Sequence, residues 1–263
     1  MKAMIFAAGL GTRLKPITDT IPKALVPVCS QPLLKHLIDK LKDAGYTDVV
    51  INVHHFAEKI REYVAQNGNF GINVSFSDET DLLRETGGGI RHAAQLLNDG
   101  EPFLVHNVDI LSNLDLEDFY DAHMASSISV DTPLATLLVS ERETARYFLF
   151  DAENNLVGWM NKLSGEVKSP YRELARGASE NFNWEEFLKM HSLKKYAFAG
   201  THILSPEVFR IMEKWPERFP IVDFYLQMAD KYIIKGYVKN DLKMVDVGKL
   251  DSLDEAEKFL LSK

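Results

Sequence analysis

A short apolar run, Met4-Ile5-Phe6-Ala7, ends abruptly in Ala8-Gly9-Leu10-Gly11-Thr12-Arg13. An apolar run that stops in glycines reads as a buried strand opening into a loop. Leu33, Leu34, Leu37, Ile38 and Leu41 then recur at helical spacing, with Gly45 placed to end the helix. Asp48 to Val53 predicts a second strand, Phe56 to Val64 a second helix and Ile72 to Phe76 a third strand. Ile90 to Leu97 predicts a helix, and Pro102 to His106 a fourth strand ending at Asn107-Val108-Asp109. Alternating strands and helices imply right-handed crossovers and a mostly parallel sheet. Sites in such sheets open at the carboxyl ends of the strands. The glycine loop and Asp109 both fall there.

Past residue 112 the rhythm changes. Leu134 to Val139, Arg146 to Phe150 and Leu156 to Met160 are strands close together, which predicts a partly antiparallel extension. Ser164 to Lys195 has weak periodicity and reads as an insertion or flap, with a helix over Asn181 to Met190. Tyr196 to Leu204 is again apolar. Ser205-Pro206-Glu207 has the form of a helix start, with a capping hydroxyl and a first-turn proline. Ile233 to Val238 predicts a strand, and Lys243 to Gly248 follows it. Ser252 with Glu255 has the form of a capping box for a last helix. No Pro-, Gly- or Ser-rich linker divides the chain. The expectation is a doubly wound α/β fold in one domain over 1-263, with halves at about 1-112 and 113-263 and the insertion at 164-195.

Composition bounds the function. The 263 residues carry 30 Lys and Arg against 38 Asp and Glu, a formal net charge of -8. Phosphate backbones are bound mainly by cations, so a nucleic-acid partner is not expected. One cysteine, Cys29, allows no internal disulfide and fits a reducing compartment. No run approaches the roughly 18 apolar residues of a membrane helix, and the start lacks the form of a secretory signal. A cytoplasmic protein, monomer or homodimer, is expected.

Glycines behind a buried strand let backbone N–H groups approach an anion or a base. Arg13 adds a bidentate fork and Lys23 a point charge. A tight turn flanked by two surface cations would show the same residues. Two named phosphate motifs do not fit. A dinucleotide fingerprint needs glycine where Leu14 stands, and neither Gly9 nor Gly11 is followed at the right spacing by Gly-Lys-Ser/Thr. Glu85-Thr86-Gly87-Gly88-Gly89-Ile90 places three glycines before the expected helix. Their conformational entropy suits a flat ligand lying on bare backbone, or a flexible loop. Asp109 and Asp246 each follow a strand. Carboxylates beside phosphates are hard ligands of the kind Mg²⁺ takes, although a lone Asp there also serves as a turn residue.

Gly9-Leu10-Gly11-Thr12-Arg13, Pro22-Lys23-Ala24-Leu25-Val26-Pro27 and the Asp109 strand end together resemble the sugar-1-phosphate nucleotidylyltransferases, over most of the chain. The Glu85 to Ile90 segment is most similar to bacterial N-acetylmuramate-1-phosphate uridylyltransferases, with mannose-1-phosphate guanylyltransferase-like proteins next. The resemblance implies a Rossmann-like nucleotide-diphospho-sugar transferase fold. It also implies transfer of a nucleotidyl group from a nucleoside triphosphate, UTP before GTP, to a sugar 1-phosphate with loss of pyrophosphate. Backbone at Ala8, Gly9 and Gly11, with Thr12, would hold base and phosphates. Arg13 and Lys23 would be catalytic on the phosphates, and Thr86 and Gly87 would help read the base. Asp109 and Asp246 would hold Mg²⁺. Asn161, Lys162 and Gly200 would meet the sugar phosphate.

Several positions depart from that pattern. Val108 replaces glycine, Asn161 glutamate, Leu163 proline and Met244 tryptophan, and 164-195 is long. These bear on the sugar more than on the reaction. A glycosyltransferase of similar architecture, with Asn107-Val108-Asp109 as a partial Asp-x-Asp site, is one rival reading. A catalytically weak nucleotide-sugar-binding regulatory protein is another.

Overall fold

The computed structural model describes residues 1–126, 132–179 and 182–262. Its elements run β1 (Lys2–Phe6), β2 (Pro27–Val28), β3 (Gln31–Pro32), α1 (Leu33–Asp43), β4 (Asp48–Val53), α2 (Ala57–Gln66), β5 (Asn73–Asp78), α3 (Glu85–His92) and α4 (Ala94–Leu97). They continue with β6 (Phe103–Asn107), β7 (Ile110–Ser112), α5 (Leu116–Ser126), β8 (Ala135–Ser140), β9 (Arg146–Phe150), β10 (Leu156–Asn161), β11 (Glu166–Lys168) and α6 (Trp184–Met190). The chain finishes with β12 (Lys194–Leu204), α7 (Glu207–Met212), α8 (Ile221–Met228), β13 (Ile234–Val238), β14 (Met244–Asp246) and α9 (Ser252–Leu261).

The fold is α/β with a mostly parallel central sheet. β1 lies between β4 and β6, parallel to both, and β5 extends the same parallel edge. The residues of β1, β4 and β6 are almost continuously buried, as expected of strands covered by helices on both faces. The sheet order β11-β10-β9-β12-β6-β1-β4-β5 turns antiparallel from β6 onward, with β8 branching from β12 and β13 pairing with β8. One core lies under α1 and α2 and a second under α3, α7 and α8.

β12 joins the two halves. Lys194 to Tyr196 pair with β9, and Thr201 to Leu204 pair with β6. Between them the register slips, and Gly200 adopts φ +72. A Cβ there would stand 2.6 Å from the Asn107 side-chain nitrogen, so the bend needs glycine on both counts.

The insertion is more ordered than its periodicity implies. β11 pairs with β10, and α6 packs Phe187 with Val167 and Leu174 against Tyr147, Leu149 and Met160. Its aromatic residues build a satellite core on the outer strands rather than a structureless flap. Asn181, the expected first residue of the helix there, lies outside the described residues.

Two expected caps do not form. The Ser252 hydroxyl bonds the Lys249 backbone, and Asp251 precedes α9 without a side-chain cap. The Ser205 hydroxyl donates to the Pro133 carbonyl, 2.6 Å away, instead of capping α7. Each hydroxyl finds a nearer carbonyl than the helix amides.

Candidate active site

The carboxyl ends of β1, β4, β5 and β6 surround a cleft of about 470 Å³. Ala8, Gly9, Gly11, Thr12, Arg13, Lys23, Thr86 and Asp109 all line it. Residues separated widely in sequence therefore meet because parallel strands discharge their loops on one edge.

The two loop glycines have different reasons. A Cβ at Gly9 would meet nothing within 4 Å, so its bareness leaves room in the cleft. Gly11 has φ +63, and a Cβ there would lie 2.9 Å from the Thr18 methyl and 3.2 Å from Lys23 Cβ. Its carbonyl accepts from Thr18 Oγ1 at 2.8 Å. Gly11 thus lets the loop lie against the segment that carries Lys23.

Lys23 and Asp109 form an ion pair, their side chains 12% and 19% exposed. At such partial burial a pair is screened less than on the open surface. Asp246 arrives from the far end of the chain. β14 pairs antiparallel with β7, placing Asp246 opposite Ile110, and the Val247 amide donates to the Asp109 carbonyl at 2.8 Å. Gly248, on the cleft wall, lies between Asp246 and Arg13. A Cβ there would be 2.8 Å from an Asp246 carboxylate oxygen and 2.9 Å from an Arg13 guanidinium nitrogen. Two carboxylates and two cations thus gather around the glycine loop.

Val108 is 4% exposed and packs into the core beneath the cleft, its amide bonding the Phe6 carbonyl at 3.2 Å. Val108 also lines the floor of the cleft.

Gly87 is not on the cleft wall. The glycine triplet lies inside α3, where a Cβ at Gly87 would strike the Phe219 ring at 2.2 Å and one at Gly88 the Glu217 carbonyl at 2.3 Å. The amides of Gly87 and Gly88 both donate to the Phe219 carbonyl. Gly87 and Gly88 thus pack closely against the turn before α8, a contact that only bare backbone allows. Thr86 faces the cleft while its hydroxyl accepts from the Ile221 amide at 2.9 Å.

The residues expected at the sugar phosphate stand apart. Asn161 Oδ1 accepts from the Leu163 and Ser164 amides, so its side chain closes the turn after β10. Lys162 is half-exposed and sits 3.5 Å from Glu143. The Tyr147 hydroxyl, first, and then Lys162 hold the Glu143 carboxyl below its ordinary pKa. Beside them a second cavity of about 380 Å³ is lined by Arg142, Arg146, Tyr147, Trp159 and Phe198. It approaches the first cleft where Phe198 leads to Gly200 and Gly200 packs on Asn107.

Sequence reasoning missed Asn52 and Glu79, both on the cleft wall. Asn52 Oδ1 accepts the Ala7 and Ala8 amides at 2.7 and 3.2 Å, and its Nδ2 donates to Glu79 Oε1 at 2.8 Å. The available signal was one polar side chain inside the apolar strand Asp48 to Val53.

The chain matches the nucleotidyl transferase family over residues 2–263. It is 44% identical over 115 residues to N-acetylmuramate alpha-1-phosphate uridylyltransferase of Neisseria meningitidis serogroup B, a match covering 44% of this chain and 49% of the relative. It is 30% identical over 232 residues to mannose-1-phosphate guanyltransferase of Saccharomyces cerevisiae, covering 84% of this chain and 56% of that one. The chain thus spans about half the length of these curated relatives. A UDP-glucose pyrophosphorylase solved with UDP-glucose superposes with a TM-score of 0.72 at 19% identity, over 99% of this chain and 98% of that one. At that identity the superposition speaks for the fold.

Proposed function

The chain belongs to the nucleotidyl transferase family, and we propose that it transfers a nucleotidyl group from a nucleoside triphosphate to a sugar 1-phosphate. The products are a nucleotide sugar and pyrophosphate. The observation that carries this reading is the convergence of Gly9, Gly11, Arg13, Lys23 and Asp109 on one cleft, with Asp246 at its rim. UTP is the favoured donor and GTP the next, following the uridylyl and guanylyl relatives. The nucleotide half is residues 1-112, and 113-263 supplies the acceptor side.

The sugar phosphate attacks the α-phosphorus in line, the new P–O bond forming as the bond to pyrophosphate breaks. The attacking oxygen is already ionised near neutrality, so no general base is required. The protein's task is positioning and charge neutralisation. Arg13 clamps phosphate oxygens bidentately, and Lys23 exchanges its contact with Asp109 for the α-phosphate. Lys162 draws the acceptor phosphate from the second cavity's side.

Asp109 and Asp246 would hold Mg²⁺. Asp246 on β14 and Asp109 in the turn just before β7 are two carboxylates that fit that ion, which keeps several oxygen positions for water and substrate phosphates. When bound, the ion supplies neutralisation of charge on the phosphates. Among the described residues no group of three or more His, Cys, Asp or Glu forms a metal site, so a dedicated protein cage is not invoked. Among the same residues no helix is long and apolar enough to cross a membrane.

The test is a matrix of UTP, GTP, CTP, ATP and dTTP against a panel of sugar 1-phosphates, read by pyrophosphate release with and without Mg²⁺. Asp109→Asn should lose at least about a hundredfold in turnover, the scale of losing a main electrostatic contact, while keeping its fold. Binding without turnover across the whole matrix would instead favour the regulatory reading.

A further inference from the structure

Asn52 is 3% exposed and Glu79 is fully buried, yet both adjoin the cleft. Polar groups buried this deeply are held only where their hydrogen bonds are satisfied. Here the bonds form one directed chain. The Arg84 amide donates to Glu79 Oε2 at 2.9 Å. Glu79 Oε1 accepts from Asn52 Nδ2, and Asn52 Oδ1 accepts from the Ala7 and Ala8 amides. The Glu79 backbone is itself fixed, donating to the Val53 carbonyl at 2.8 Å and meeting His54 Nδ1 at 2.7 Å. A Cβ at Gly89 would come within 2.9 Å of Glu79 Oε1, so α3 closes over the carboxylate without a side chain.

The polarity of the chain follows from chemistry. A side-chain amide can present either end, but both Glu79 oxygens act as acceptors. The Asn52 NH₂ must therefore face Glu79, and its oxygen must face the loop. With the Ala8 N–H turned toward Asn52, planarity of a trans peptide sends the Ala7 carbonyl the opposite way. The preceding carbonyl, that of Phe6, is taken by the Val108 amide. Among the described residues no donor reaches the Ala7 carbonyl, and Ala7 is on the cleft wall.

We propose that Asn52, oriented by Glu79, is a positioning residue for the nucleoside: it sets the Ala7–Ala8 peptide so that the Ala7 carbonyl accepts a hydrogen bond from the bound nucleotide. The contact is with the nucleoside and not the phosphates, because a carbonyl oxygen repels phosphate oxygens and welcomes an N–H or O–H. A base N–H and a ribose hydroxyl share that chemistry. The inference rests on the nucleotidyl transfer proposed above and adds which end of the donor the Ala7–Ala8 peptide reads.

Three variants test it through the direction of the bonds. Asn52→Asp still accepts the loop amides but faces Glu79 with a second carboxylate. Glu79→Gln cannot accept from both Asn52 and Arg84 without turning its own NH₂ on one of them. The double variant satisfies every bond again. Its new carboxylate keeps the loop amides, and the glutamine that replaces Glu79 donates to that carboxylate while accepting from Arg84.

Each single variant should raise KM for UTP about tenfold, the scale of a misdirected buried hydrogen bond. KM for the sugar phosphate and KM for pyrophosphate in the reverse reaction should stay within about twofold. The double variant should return KM for UTP to within about threefold of wild type. Comparing UTP with dUTP and with 3′-deoxy-UTP assigns the donor: ratios both unchanged by Asn52→Asp point to the base, and a lost UTP preference over either analogue points to the ribose hydroxyl that analogue lacks. Melting temperatures and folded fractions are measured alongside. Wild-type UTP kinetics in both single variants, no recovery in the double, or a loss confined to folded fraction with KM unmoved would each overturn the proposal. If the wild type releases no pyrophosphate with any substrate pair, the function proposal fails instead. UTP binding by calorimetry then reads the same three variants.

Discussion

Lowering pH should unload stability through three histidines buried away from water. His106 and His123 are fully buried and His202 is 1% exposed. Burial, before any charge, pushes their pKa values down from 6.5, to about 4 for His106 and His123 and about 3 for His202. Neutral rings are well accommodated: His123 Nδ1 meets Thr136 Oγ1 at 2.8 Å, and His202 meets the buried Tyr225 hydroxyl. The unfolded chain binds a proton at each ring near pH 6.5, whereas the folded chain resists until near pH 4 or 3. Stability is therefore whole above about pH 6.5 and is lost as pH falls toward 4. At roughly pH 5.5 each ring costs about 1.4 kcal/mol, and the three together cost about 4 kcal/mol. That is a large part of the about 5–15 kcal/mol that holds a typical protein folded. Calorimetric unfolding in buffers of different ionisation enthalpy measures the protons taken up. Each ring should contribute about 0.9 proton at roughly pH 5.5, and His123→Gln should remove one such share whatever it does to the melting temperature. Equal uptake by the variant and wild type would refute the claim that His123 stays neutral when folded.

Three further outcomes follow from the cleft. Lys23→Ala should lower kcat/KM for the nucleotide, whereas Lys162→Ala should act mainly on the sugar phosphate; unchanged acceptor kinetics in the latter would remove Lys162 from that role. Gly200→Ala should destabilise by about 1–3 kcal/mol through its positive φ and the clash with Asn107, as a urea titration would show. Gly87→Ala should cost a similar amount against Phe219 and leave nucleotide KM nearly unchanged if the Thr86 wall holds, since a large KM rise would place Gly87 in the site after all.

The parallel half is legible because each strand and helix announces itself locally. Met4 to Ala7, Leu33 to Leu41 and Asp48 to Val53 carry their burial in their own periodicity. The glycine loop, Arg13, Lys23 and Asp109 are legible as chemistry for the same reason. The triplet Gly87 to Gly89 misleads because its partner, the turn at Glu217 to Phe219, lies far along the chain and no local pattern points to it. Asn52 escapes notice because a single polar residue does not disturb an apolar strand's period. Its meaning depends on Glu79, one strand later. The insertion looks irregular because its apolar residues match a satellite core built with Tyr147 and Met160 rather than a helical or strand repeat of their own.

The pairing of β14 with β7 also orders events in time. Arg13 is made long before Gly248, which it meets. At about 5–20 residues per second, roughly ten to fifty seconds separate the two on the ribosome. Through that interval β1, β4, β5 and β6 can assemble the glycine loop and bring Lys23 to Asp109, but Asp246 does not yet exist. A nascent chain can thus own the cleft and still lack its rim. The short strand Met244–Asp246 acts as the final closure, so the chemistry proposed here waits on the second half of the chain being made.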